Sequence, residues 1–262
     1  MNEELKNLWD YEAEEGLLDG RVLLITGAAG GIGREVSRSC ARHGAQLVLL
    51  DHDEEGLKSL YDECNSAGWP EPTLCPVDFA GVGIDHLRQI ADAVGNQFGR
   101  LDGLLNNAAW VGPLTPFEHY LPQTWGLVMN INMAAPFFLT QWCMPLLRRA
   151  PDPVLLFSLH DASRAYHGAF ALAKAGQRAL LEMLSAEYGP ESGHPVRVLG
   201  IDPGPIETLG RRQNYPAERL GSHPGPEAVA GAYLWALGPD SVGRNGLILS
   251  AHDGRADPKI IP

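Results

Sequence analysis

Thr26-Gly27-Ala28-Ala29-Gly30-Gly31-Ile32-Gly33 is the stretch that decides the fold of this 262-residue chain. A short apolar run, 21–26, leads into it, and an amphipathic segment, 32–43, leads out. Gly27 permits a tight turn, Gly31 lets backbone approach a pyrophosphate, and Gly33 lets a helix pack close to the strand before it. The helix start then offers unpaired N–H groups to an anion. A glycine-rich turn alone is weak evidence, and the strand before it and the helix after it are the context that gives it meaning. Gly27, Ala29, Gly31, Ile32 and Gly33 are therefore candidate contacts to a dinucleotide.

Outward from this loop the pattern repeats. Short apolar runs recur at 46–51, 73–77, 101–106, 153–158, 195–201 and 246–250. Amphipathic stretches at 54–67, 83–98, 122–149, 168–189 and 226–237 separate most of them. Alternating strands and helices predict right-handed crossovers: a single-domain, doubly wound α/β fold with about seven parallel strands and helices on both faces. No composition shift marks a second domain, so 19–262 reads as one unit after an acidic, frayed or weakly helical extension, 1–18. The segment 203–226, rich in Pro, Gly and Arg, reads as a lid or substrate loop.

The second strand ends at Asp51, 18 residues after Gly33. A carboxylate there can accept hydrogen bonds from an adenosine ribose and repels a 2′-phosphate. No Arg or Lys lies in the glycine loop or just after Asp51, so NAD is expected over NADP. The alternative is that Asp51 caps the next turn.

Composition narrows the partners. The net charge is −12 with no basic block, which disfavours nucleic acid and anionic membranes. The most apolar stretch, 127–147, is interrupted by Asn130, Asn132, Pro136 and Gln141 and reads as a long buried helix, its Met129, Met133, Met144, Phe137 and Phe138 as core. Cys40, Cys64, Cys75 and Cys143 show neither zinc nor redox spacing. No metal site is expected. Four free thiols and no basic-then-apolar leader point to a cytoplasmic protein.

The whole chain from about residue 19 resembles the short-chain dehydrogenase/reductase family. The glycine loop matches the family's T-G-x-x-x-G-x-G, Val77-Asp78 its adenine-contacting pair, and Asn106-Asn107-Ala108-Ala109 its N-N-A-G with the last glycine changed to alanine. Trp125 and Asn132 match the helix that supplies the catalytic-site asparagine. Asp202-Pro203-Gly204-Pro205-Ile206-Glu207-Thr208 resembles the P-G-x-x-x-T segment that reaches the nicotinamide. Arg164-Ala165 and Gly168-Ala169 are similar to the bacterial branch that includes the YciK-type oxidoreductases. The resemblance implies cofactor contacts at Asp78, Asn107, Ala108, Pro203, Gly204, Ile206 and Thr208, besides those of the loop and Asp51. It also implies a homodimer or homotetramer through the helices at 122–149 and 168–189.

The family's catalytic signature is Tyr-x-x-x-Lys with a serine about a dozen residues upstream. The tyrosine exchanges a proton with the substrate oxygen, the lysine binds the nicotinamide ribose and acidifies the tyrosine, and the asparagine holds a water relay. Lys174 matches, but the tyrosine position is Phe170, which has no proton to give. Ser158 lies 12 residues before it; an ungapped reading puts Phe157 in the serine position, and Ser163 is the fallback. The catalytic set is thus Asn132, Ser158, Phe170 and Lys174. His160, Asp161, Tyr166 and His167 crowd the same segment, exposed loop residues by default, with His160 and Tyr166 the first replacements for the missing acid. The expected function is NAD-dependent oxidation or reduction of a small alcohol or carbonyl compound with impaired or non-standard proton transfer. The alternative is an NAD-binding family member without turnover, acting as sensor, scaffold or partner subunit.

Overall fold

A computed structural model describes residues 8–250 and the backbone of 259–260. Its strands are β1 (Val22–Thr26), β2 (Gln46–Asp51), β3 (Thr73–Pro76), β4 (Gly103–Asn106), β5 (Val154–Ser158), β6 (Arg197–Asp202), β7 (Leu247–Ser250) and β8 (Lys259–Ile260). The helices between them are α1 (Gly31–Arg42), α2 (Glu54–Ala67), α3 (Ile84–Phe98), α4 (Pro122–Met129), α5 (Ala135–Leu147), α6 (Gly168–Glu187), α7 (Leu209–Asn214) and α8 (Ala230–Leu237). The sheet order is β3-β2-β1-β4-β5-β6-β7-β8, parallel through β7, with β8 antiparallel at the edge. From β1 the chain winds outward to β3 and then returns to start β4 beside β1. That reversal opens a crevice at the carboxyl ends of β1 and β4, where ligands of such sheets bind.

The apolar runs are continuous because both sheet faces are covered. Along β1, Leu23 and Ile25 pack into the layer of α1, α2 and α8, while Val22 and Leu24 pack into that of α3, α5 and α6. On β5, Val154 and Leu156 face the first layer, and Leu155 and Phe157 the second.

Four expectations change. Within the extension, residues 8–18 are packed, whereas 1–7 lie outside the described residues. Leu8 and Leu18 are buried, Trp9 and Tyr11 pack on the core, and the Tyr11 hydroxyl donates to Asp240 at 2.6 Å. The apolar residues scattered among the acids anchor this segment. The helix expected at 122–149 is broken by a π-helical turn, Asn130–Ala134. Only its second half is the buried helix foreseen; Trp125, Leu127 and Phe137 are exposed, the last standing edge-on to Phe138 at 5.2 Å. The lid segment contains α7, capped by the Thr208 hydroxyl, which accepts from Arg211 N. Finally, His160 and His167 are largely withdrawn from solvent, while Asp161 and Tyr166 stay exposed.

Candidate active site

The glycine loop is held by short polar contacts. The Thr26 hydroxyl accepts from the backbone N–H of Asn107 (2.9 Å) and of Ala108 (3.0 Å). The Asn107 amide donates to the carbonyls of Thr26 (3.1 Å) and Gly27 (3.3 Å). Gly27 has φ +66°, and a Cβ there would press on the Ala108 backbone. A Cβ on Gly33 would overlap the Gly27 carbonyl oxygen, so the helix starts as close to the strand as backbone allows. Asp51 ends β2 with its carboxylate turned into the loop, accepting from Ala29 N at 2.9 Å and from Asp53 N at 3.0 Å. The residues fit a dinucleotide. The start of α1 has no side-chain cap, and beyond Gly30 a Cβ would meet nothing within 4 Å. Thr208 closes the other side of the cradle, 3.1 Å from a Cβ built on Gly31. Helix-start N–H groups facing open space are what a pyrophosphate needs. Asp78 lies farther out and caps its own turn, accepting from Ala80 N at 2.8 Å. Gly204 (φ +68°) and Pro203 follow β6, with Gly204 N donating to Asp202 at 3.1 Å and Ile206 buried.

The second half of the crevice lies between β5, α6 and the π-helical turn. Lys174 is buried, and its ammonium donates to the Ser158 carbonyl (2.7 Å) and the Gln177 side-chain oxygen (3.0 Å). The same nitrogen sits 5.8 Å from the centre of the Phe170 ring. That is a cation–π contact, which a phenylalanine can still supply. Burial pulls Lys174 down to about 8, against the opposing charge of Asp202. The Ser158 hydroxyl points elsewhere, donating to the Asn107 side-chain oxygen (3.0 Å) and pairing with the buried Tyr233 hydroxyl (2.9 Å). Asn132 is fully buried; its amide donates to the carbonyls of Trp110 and Val128, both at 2.8 Å, and its oxygen accepts from Trp110 N at 3.1 Å. Among the described residues no cluster of His, Cys, Asp and Glu is arranged to hold a metal ion.

The family model described as short chain dehydrogenase matches residues 21–219. This chain belongs to the short-chain dehydrogenase family. The family member YciK, an oxidoreductase of Escherichia coli (strain K12), is 33% identical over 248 residues, 94% of this chain and 97% of YciK. A short chain dehydrogenase structure from Pseudomonas syringae superposes with a TM-score of 0.88 at 39% identity, covering 92% of this chain and 98% of that one. A third, from Shigella flexneri 2a and complexed with NADP, has a TM-score of 0.85 at 33% identity, covering 90% and 99%. The chain is thus an oxidoreductase of a family that uses NAD(P), and its sheet is the family's.

Within this dehydrogenase the crevice gathers Asn107, Asn132, Ser158, Phe170 and Lys174, but not as the motif reading orients them. Gln177 was missed. Its amide donates to the Asn132 carbonyl at 2.5 Å and accepts from Lys174 on its other end, so one buried amide spans the gap assigned to a water relay. Two signals announce it. Pro136 lies four residues after Asn132 and has no N–H for that carbonyl, and Gln177 lies three residues after Lys174, on the same helix face. His160 was noted but undervalued. Its ring stands 5.8 Å from that of Phe170. His167 stands at the residue before α6, with ring centres 6.4 Å from Phe170 and its Nε2 paired with the Tyr215 hydroxyl of the lid at 2.8 Å. Tyr166 holds a left-handed backbone (φ +73°) and an exposed ring.

Proposed function

We propose that this short-chain dehydrogenase is an NAD-dependent oxidoreductase of a small alcohol or carbonyl compound whose proton transfer is impaired because Phe170 stands in the tyrosine position. The observation that carries the reading is the Phe170 ring over the Lys174 ammonium, an aromatic contact without a hydroxyl. Bound in the cradle, a nicotinamide would exchange a hydride with the substrate carbon. The protein's share is to hold that cofactor through the α1 start, Asp51 and Lys174, and to handle the substrate proton. A positioned acid or base contributes about 10²- to 10⁴-fold to such a step. Phe170→Tyr adds that hydroxyl beside a lysine already in place. Steady-state NADH assays across a panel of carbonyls and secondary alcohols should show low turnover by the natural form and at least a tenfold rise in the variant. Efficient turnover by the natural form that Phe170→Tyr leaves unchanged would refute the impairment.

The preference for NAD rests on Asp51 and on the run Asp53-Glu54-Glu55 behind it, acids where a 2′-phosphate would need a cation. The Shigella relative carries NADP, so the preference is the finer point, and calorimetric titration with both cofactors decides it. A homodimer or homotetramer fits the exposed Trp125, Leu127, Leu172 and Met183 on α4 and α6; light scattering that finds only monomer would refute it. The free, mostly buried cysteines fit a reducing cytoplasm, and no helix among the described residues is long and apolar enough to cross a membrane. A non-catalytic NAD-binding role is the second reading, favoured by one observation, the Gln177 amide closing the path between Lys174 and Asn132.

A further inference from the structure

Neither hydroxyl of the family's catalytic pair is available here. Phe170 has none, and that of Ser158 is spent between Asn107 and Tyr233. The inner route for a proton, from Lys174 toward Asn132, is filled by an amide, which holds its own protons rather than passing them on. Two imidazoles stand against the ring that marks the substrate oxygen, and that of His167 is engaged by the Tyr215 hydroxyl. His160 follows β5 by two residues and tilts its imidazole at 47° to Phe170, ring centres 5.8 Å apart. It is partly open to solvent. Its neighbours were set by other needs: the Asp202 carboxylate is tied to the N–H groups of Asp161 and Gly204, and the Lys174 ammonium to Ser158 and Gln177.

We infer that His160 is the proton-transfer residue of this dehydrogenase, accepting the proton of an alcohol substrate as it is oxidised. The inference rests on the oxidoreductase reading above. In that direction the alcohol O–H bond breaks toward a ring nitrogen of His160. A bound oxidised nicotinamide would take the carbon's hydrogen with its electron pair, and the electrons of the broken O–H bond would close the carbonyl. The proton then passes from the partly exposed imidazole to water. The groups facing the ring are Asp202, Lys174, Arg164 and His167, together with Phe170. Burial, opposed by Asp202 and reinforced by the neighbouring Lys174 and Arg164, lowers His160 to about 4. At neutral pH the ring is therefore unprotonated and has no proton to give, and as a weak base it passes any proton it takes quickly to water.

The test is a double-mutant cycle on alcohol oxidation with NAD, using the natural form, His160→Ala, Phe170→Tyr and the double variant. His160→Ala should lower the residual kcat at least tenfold with NAD affinity unchanged by calorimetry. In the Phe170→Tyr background the same change should cost less than threefold, because the new hydroxyl carries the proton. Equal losses in both backgrounds, or no loss in either, overturn the assignment. Turnover by Phe170→Tyr alone overturns it while leaving the oxidoreductase reading intact. No turnover by any form, with NAD bound, overturns both. A readout apart from activity is the imidazole resonance that His160→Ala removes. It should titrate below pH 5 and move when Phe170→Tyr places a hydroxyl beside the ring. Titration near pH 6.5, indifferent to that substitution, would place His160 outside the site.

Discussion

The crevice has two corners built to different standards. At the α1 corner every contact is between backbone groups or short side chains: Thr26 with Asn107 and Ala108, Asn107 with Gly27, Asp51 with Ala29. Such groups leave little room for substitution, and what they shape is an uncapped helix start facing open space. At the α6 corner the contacts are made by long side chains, Lys174 and Gln177, around a ring that has lost its hydroxyl. There a ring stands over a buried ammonium with no hydroxyl at position 170. The first corner depends on where backbone comes close to backbone, the second on which long side chains meet.

Three experiments press on this contrast. The largest effect should come from Gly33→Ala, whose Cβ would meet the Gly27 carbonyl and the Asn107 amide. Relieving a clash with backbone must move the loop, so NAD(H) binding should weaken on the order of a thousandfold, about 4 kcal/mol. Calorimetry that finds wild-type affinity would show that the cradle is more pliable than its contacts imply.

The next largest concerns the other corner. Lys174 is buried, and its folded pKa is depressed from 10.5 to about 8. Between those values the unfolded chain holds more protons than the folded one, so raising the pH through that window stabilises the fold, and the benefit is gone below about 8. Lys174→Met removes this dependence. From pH 7.5 to 10 the natural protein should gain about 2–3 kcal/mol relative to the variant in urea unfolding. Parallel stability curves would mean that Lys174 is better solvated than its surroundings suggest.

The smallest effect is expected at the edge of the first corner. Asp51→Ala removes a carboxylate expected to face the ribose, and its bond to Ala29 N. NAD should bind about tenfold more weakly and NADP somewhat better, a charged hydrogen bond being worth roughly 1.5–3 kcal/mol. Unchanged affinity for both cofactors would leave Asp51 as a turn cap and nothing more.

Most of the fold was open to reading from residues alone, because strands buried on both faces are uninterrupted apolar runs and glycine spacing reports where backbone must approach backbone. Six helices were visible by their period, while α7 was hidden in a segment of irregular composition. The break at Asn130–Ala134 was hidden too: Pro136 was noticed as a polarity marker, but not as the residue that leaves the Asn132 carbonyl without a helix partner. Residues 8–18, read as frayed or weakly helical, hold a helical turn at Leu8–Asp10 and are packed, because the apolar side chains that anchor them are interspersed with acids and show no period.

The amino-acid sequence by itself determined the family, the sheet, the close-packed glycine turn and the missing hydroxyl at 170, since each is a matter of which residue type occupies which place along the chain. Tertiary structure alone decided what the remaining polar groups do. Ser158 and His160 are two residues apart on one strand end, yet one hydroxyl is absorbed by Asn107 and Tyr233 while the imidazole stands against Phe170. Gln177 reaches Asn132 across 45 residues of chain. Side-chain direction at a strand end, and contacts between distant segments, arise only when the layers pack, and no local pattern records them.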